Sequence, residues 1–267
     1  MVNNKKKLKE AINKEIASVS KAETHLQKAS AGEASKYKEV LRSKIPSKVL
    51  VTLEKTFSKA FSIVFDKGIA IIEKGYNKEL LSQDFDIQNY AVDVKCGRKE
   101  LKKIKNSAKT SDLKNMSITT VEGIGLGVLG VGLPDIVLFI GMVLKGIYEV
   151  ALHYGYDYES DSEKYFILKL MSISLSKGAQ WEMENDEINK ILNSPPTVNA
   201  EMMKKQIEDT SKLFAMEMLV LKFVQGLPVV GTIGGAFNPI YYNKIMKYVR
   251  LKYYKRYLND KLREIEK

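Results

Sequence analysis

Residues 117–157, SITTVEGIGLGVLGVGLPDIVLFIGMVLKGIYEVALHYGYD, constrain the fold of this chain more than any other segment. They are glycine-rich and strongly apolar, in a protein whose other segments are conspicuously charged. The uncharged run 123–134 ends at Asp135, and the run 136–144 ends at Lys145, with Glu149 beyond it. Neither reaches the roughly 20 apolar residues that a spanning helix needs. A second apolar stretch, residues 223–243, carries Pro228, Gly231, Gly234, Gly235, Asn238 and Pro239. These would leave backbone groups unpaired in lipid. An ordinary transmembrane helix is therefore not expected in either stretch. Three settings are open for the resulting helical hairpins: buried in the core, docked on or partly inserted into a membrane, or walling a ligand cavity.

The glycines have a mechanical meaning. Gly123, Gly127 and Gly130 are spaced four and three apart, so on a helix they share one face and let another helix approach closely. Each costs about 1 kcal/mol relative to Ala in an isolated helix, a cost that only close packing, a ligand or a required bend offsets. Pro134 followed by Asp135 reads as a helix start, with proline in the first turn and a carboxylate at the positive end of the helix dipole.

Apolar periodicity elsewhere is helical. Val49, Leu50, Leu53, Phe57, Ala60, Phe61, Val64 and Phe65 recur every three or four residues. Residues 161–178, 181–192 and 200–225 read as further helices, and 98–114 as a basic one. The chain closes on a basic helix rich in tyrosine. Few runs alternate with period two. The fold class expected is all-α, a compact multi-helix bundle built around glycine-rich apolar hairpins. Residues 1–45 read as a charged N-terminal helical extension and 46–267 as the helical domain.

The formal charge of +11 favours anionic partners. Lysine dominates over arginine, which weighs against sequence-specific nucleic-acid recognition. The N-terminus MVNNKKKLKEAINKE lacks an apolar core and is not expected to be a signal peptide. Cys96, as the single cysteine, gives no internal disulfide. A cytoplasmic location with membrane association follows as the expectation.

A set of segments in fixed order resembles the EcsC protein family. They are Thr119-Thr120-Val121-Glu122-Gly123, Gly132-Leu133-Pro134-Asp135, Tyr148-Glu149, Tyr154-Gly155-Tyr156-Asp157, Glu163 to Leu168, Lys222 to Gly231 with Gly234-Gly235, and Tyr253 to Leu258. The resemblance covers roughly residues 45–260. It implies a bacterial, membrane-associated accessory protein, set beside an ABC-type exporter. It carries over no catalytic residue.

Chemistry must come from a short roster. His25, His153 and Cys96 cannot assemble a zinc-type cluster, and neither a metal nor a cofactor is expected. The polar residues set in or beside the apolar hairpin are the candidate ligand- or partner-binding residues: Thr119, Thr120, Glu122, Gly123, Gly127, Gly130, Asp135, Lys145, Glu149 and Asp157. Buried charges are paired or shift their pKa, and so gather at functional sites. Lys145 and Glu149, four apart, can pair along one helix. Glu122 and Asp135 are the weak catalytic candidates, for a hydrolase with carboxylates in a glycine-walled pocket. In the last helix Lys244, Lys247, Arg250, Lys252, Tyr253, Tyr254, Lys255 and Arg256 interleave cations with rings, the pattern of a membrane-interface helix. The first expectation is thus a peripheral accessory protein binding an anionic membrane surface, a membrane protein or a hydrophobic ligand. The alternatives are the hydrolase and a nucleic-acid binder acting through the basic helices.

Overall fold

A computed structural model describes residues 2–32, 45–114, 133–224 and 239–267. The protein is all-α, with ten helices and no strand among the described residues. They are α1 (Val2–Gly32), α2 (Ser47–Ile63), α3 (Ile69–Ile72), α4 (Lys78–Lys95), α5 (Arg98–Lys114), α6 (Leu133–His153), α7 (Asp161–Leu175), α8 (Gly178–Ile191), α9 (Ala200–Val224) and α10 (Pro239–Glu266). A π-helical turn, Val64–Gly68, joins α2 to α3. The glycine face of Gly123, Gly127 and Gly130 lies outside the described residues, as do Thr119, Thr120, Glu122 and the second glycine-rich stretch from 225 to 238.

Local chemistry sets several of the helix ends. Asn77 caps α4 by accepting from the Leu80 amide at 2.9 Å, and Asn199 caps α9 by accepting from the Met202 amide at 2.8 Å. Cys96 ends α4 in the left-handed region, at φ 52°. Ser160 caps α7 by accepting from the Glu163 amide at 3.3 Å. The spacing Ser160 to Glu163 is that of a capping box, yet the Glu163 carboxylate turns to α10 instead.

The helix α6 is the axis of the bundle. It packs against α2, α3, α4, α5 and α10, while α9 lies on α2 and α7. Its 18-residue window Ile136–His153 is long and apolar enough to cross a membrane by length and composition, and 89% of that window is buried inside the protein. A helix apolar on nearly every side is satisfied equally by lipid or by other helices, and here helices cover it. The apolar run expected to end at Lys145 thus continues to His153, because Lys145 and Glu149 leave the mean hydropathy of the window at 1.7.

Two glycines are fixed by close approach. Gly155 has φ +76°, and a Cβ there would run into the Phe85 ring. A Cβ on Gly146 would sit 2.5 Å from the Tyr242 hydroxyl. The N-terminal helix α1 packs on α10, α8 and α5, burying Leu8, Ala11, Ile12 and Val19.

Candidate functional site: a tyrosine–carboxylate network

The last turns of α6 lead into the loop 154–160, and this corner meets α7, α10 and the end of α3. Tyr156 donates to Asp260 Oδ2 at 2.6 Å. Tyr253 donates to Glu163 Oε1 at 2.6 Å, and Arg256 binds both oxygens of that carboxylate, at 3.0 and 2.7 Å. The Arg256 guanidinium also lies 4.0 Å from the centre of the Tyr156 ring. Burial, the largest single effect, lowers the Arg256 pKa, but the charge and hydrogen bonds of Glu163, with Tyr253 and Tyr156 beside them, together outweigh it and the net shift is upward. The cation is thus held permanently by one carboxylate and a ring.

A second cluster forms around Tyr158. Tyr76 donates to the Tyr158 hydroxyl at 2.7 Å, and Tyr158 donates to Glu73 at 2.6 Å. The Tyr158 ring stacks on Tyr148, with centroids 4.1 Å apart. Lys78 bonds to Glu159 and stands 3.6 Å from Glu73. Also on α10, Tyr254 packs its ring near that of Tyr154 and donates to Glu15 at 3.0 Å, and Glu15 also pairs with Arg98. Desolvation first, and the carboxylates second, push the hydroxyls of Tyr158, Tyr253 and Tyr254 well above the ordinary tyrosine range. These phenols stay protonated and act as donors, so they hold helices together and supply neither base nor nucleophile.

The C-terminal helix corrects the sequence reading. Lys252, Tyr253 and Tyr254 were expected to face a membrane; all three are buried. Lys252 is 0% exposed, bonds to Glu23 of α1 and donates to Asn189 of α8 at 2.9 Å. Lys255 donates to Glu23 at 2.6 Å and to Asn189 at 3.0 Å. Burial brings the Lys252 ammonium down to about 8, against the pull of Glu23. Burial raises Glu23, but Lys252 and Lys255 prevail and its pKa is lowered. The physical reason for the correction is that α1, α7 and α8 each present a carboxylate or amide to this helix, so its polar groups find partners inside. Of the remaining cations, Lys244 and Arg250 are half-buried, like Lys255 and Arg256, and Lys247 is exposed.

The other candidates scatter. Lys145 and Glu149 do pair along α6, at 3.9 Å, and both are buried. Asp157 is exposed and accepts from the Glu159 amide at 3.1 Å, closing a turn. Asp135 is the third residue of α6, in keeping with a helix start at Pro134. Its proposed partner Glu122 lies outside the described residues. No group of three or more His, Cys, Asp or Glu suited to a metal ion occurs among the described residues. A surface cleft of about 560 Å³ opens beside Ser58, Met203, Lys204 and Ile207, and it touches the helices of the tyrosine network only at Asp161, the first residue of α7.

Sequence reasoning missed Glu15, Glu23, Glu73 and Asn189. The first two carried a signal: Leu8, Ile12, Glu15, Val19 and Glu23 fall on one helical stripe of α1. A carboxylate in line with an apolar stripe is headed for the interior, and for a cation.

The geometry defines a class first: an all-helical protein whose scattered tyrosine-rich segments are locked to one another by hydroxyl–carboxylate bonds. Tyr156 and Glu163 bond to Asp260 and Tyr253, 104 and 90 residues further on, and Tyr148 joins by stacking on Tyr158. The chain belongs to the EcsC protein family, whose model matches residues 10–258. Comparison with curated proteins and with solved structures gives no match.

Proposed function

We propose that the chain is an accessory protein that associates peripherally with an anionic membrane surface through the exposed lysines of α1 and α5. One observation carries this reading. The two helices pack side by side, and they expose Lys5, Lys6 and Lys14 on one and Lys99, Lys102, Lys103 and Lys109 on the other. The single carboxylate within α5 whose side chain is described, Glu100, is buried. Lysine near an anionic headgroup layer contributes about 1 kcal/mol each, without demanding fixed geometry. Nucleic acid favours the planar fork of arginine, and the cations of α5 are six lysines and one arginine. The membrane setting implied by the family resemblance agrees with this choice. The buried tyrosine network supports a binding role over a catalytic one, since its hydroxyls are protonated and its carboxylates are engaged.

Co-sedimentation tests the reading. The protein is mixed with phosphatidylglycerol vesicles and, separately, with phosphatidylcholine vesicles at low ionic strength. Binding to the anionic vesicles alone is expected, weakening with added salt and with Lys99→Glu, Lys102→Glu and Lys103→Glu combined. Equal behaviour on both vesicles, or no binding at low salt, overturns it.

A further inference from the structure

The helix α4 has two apolar faces. Its inner face packs Leu81, Phe85 and Val92 on the core, and Asn89 accepts from the Tyr257 hydroxyl at 2.9 Å. Its outer face exposes Leu80 (53%), Ile87 (68%), Tyr90 (71%) and Val94 (53%). Leu80, Ile87 and Val94 recur every seven residues, and Tyr90 stands four before Val94. That is the seam spacing of a coiled coil, with Leu80, Ile87 and Val94 at one core position and Gln83 and Tyr90 at the other. The stripe runs about 21 Å along the helix, from the 1.5 Å rise per residue.

The edges of the seam carry one sign. Glu79, Asp86 and Asp93 each immediately precede a seam residue, so they line one edge, and Asp84 sits on the other. All four are exposed. Asp93 is shared with Lys261 of α10, at 2.9 Å, and Glu79 accepts from Gln83 at 3.4 Å. An acidic border stands out on a chain of net charge +11. It decides among occupants. A second copy would set acid against acid: edge on edge when antiparallel, Glu79 against Asp84 when parallel. An anionic membrane would be repelled. A helix with apolar seam residues and flanking Lys or Arg meets both features at once.

We infer that the outer face of α4 docks a basic amphipathic helix of a partner protein, paired as a coiled coil along Leu80, Ile87, Tyr90 and Val94. This surface is distinct from the lysines of α1 and α5, so it stands whether or not those meet a membrane.

The full-length protein is titrated, without vesicles, against a fluorescent synthetic helical peptide of about three heptads, with Leu and Ile at the seam and Lys at the flanking positions. A peptide with Glu at those positions is the control. The Lys peptide is expected to bind about tenfold tighter or more, a difference of about 1.4 kcal/mol. Ile87→Asp is expected to weaken it by about tenfold or more even though the substitution adds negative charge, because the seam is broken. Glu79→Lys with Asp86→Lys should reverse the preference toward the Glu peptide. Circular dichroism checks that each variant keeps its helix content. Equal binding of the two peptides, binding of neither, or indifference to Ile87→Asp overturns the inference. So does a wild-type dimer in sedimentation that Ile87→Asp dissolves, or anionic-vesicle binding that Ile87→Asp removes and the lysine variants leave intact.

Discussion

Helices α5 and α10 are both basic, and the structure uses them in opposite ways. α5 turns Lys99, Lys102, Lys103 and Lys109 to water and buries Leu101, Ile104 and Ala108. α10 turns Lys252, Tyr253 and Tyr254 inward and meets Glu23, Glu163 and Glu15 there. The difference lies in the neighbours. α10 lies between α1, α6 and α7, and α1 and α7 put carboxylates opposite its cations and hydroxyls, whereas the outer side of α5 faces solvent. A basic helix is thus a surface or a strut depending on what its bundle sets against it, and the two kinds of charge differ in energy. Buried pairs are expensive to break, and exposed lysines contribute little to stability.

The widest gap between the two helices should appear at Glu163. Glu163→Ala leaves Arg256 and the Tyr253 hydroxyl without their acceptor, and about 3–5 kcal/mol of stability should be lost. Urea unfolding would register it as a lower midpoint at unchanged slope. A loss under about 1 kcal/mol would make α10 no more of a strut than α5.

Lys252 should give α10 a pH signature that α5 lacks. Its pKa is about 8 in the folded protein and 10.5 in the unfolded chain. The unfolded state therefore binds more protons between those values, and stability rises with pH there. The cost of burying the ammonium is fully present below about pH 8 and is relieved above it. The slope approaches about 1.4 kcal/mol per pH unit, until unfolded tyrosines begin to ionise near pH 10 and reverse the trend. Lys252→Met should flatten the rise. Stability curves of the two proteins that run parallel across this window would refute the assignment.

At Tyr254 a single hydroxyl is at stake. Tyr254→Phe removes one bond to Glu15, which keeps Arg98, so about 1–2 kcal/mol is expected by the same unfolding measurement. Last comes α5 itself. Lys102→Ala with Lys103→Ala should change stability by no more than about 0.5 kcal/mol, while anionic-vesicle binding falls. A thermal shift as large as that of Glu163→Ala would erase the distinction between the helices.

Much of the fold was legible because amphipathic periodicity is a local property. The spacing of Leu53, Phe57, Ala60 and Phe61 gives α2, the Pro134-Asp135 pair gives the start of α6, and Lys145 with Glu149 gives a pair one turn apart. The tyrosine network was not legible in the same way. Tyr253 and Glu163 are 90 residues apart, and Tyr254 and Glu15 are 239 apart. No spacing rule links positions that only packing brings together. The Tyr/Lys alternation of α10 fits a membrane interface as well as an interior of carboxylates, because both offer anions to cations and apolar contact to rings.

By itself, then, the sequence determined that this chain would be helical and positively charged, and which segments carry the family's signature. Helix propensity, period and net charge are sums over neighbouring residues. Only the tertiary structure decided which charges point inward. That choice depends on whether a distant carboxylate stands within bonding distance, and burying a cation without one is prohibitively unfavourable. It left α10 as the strut, α5 as the basic face, and the acid-edged seam of α4 open to a partner.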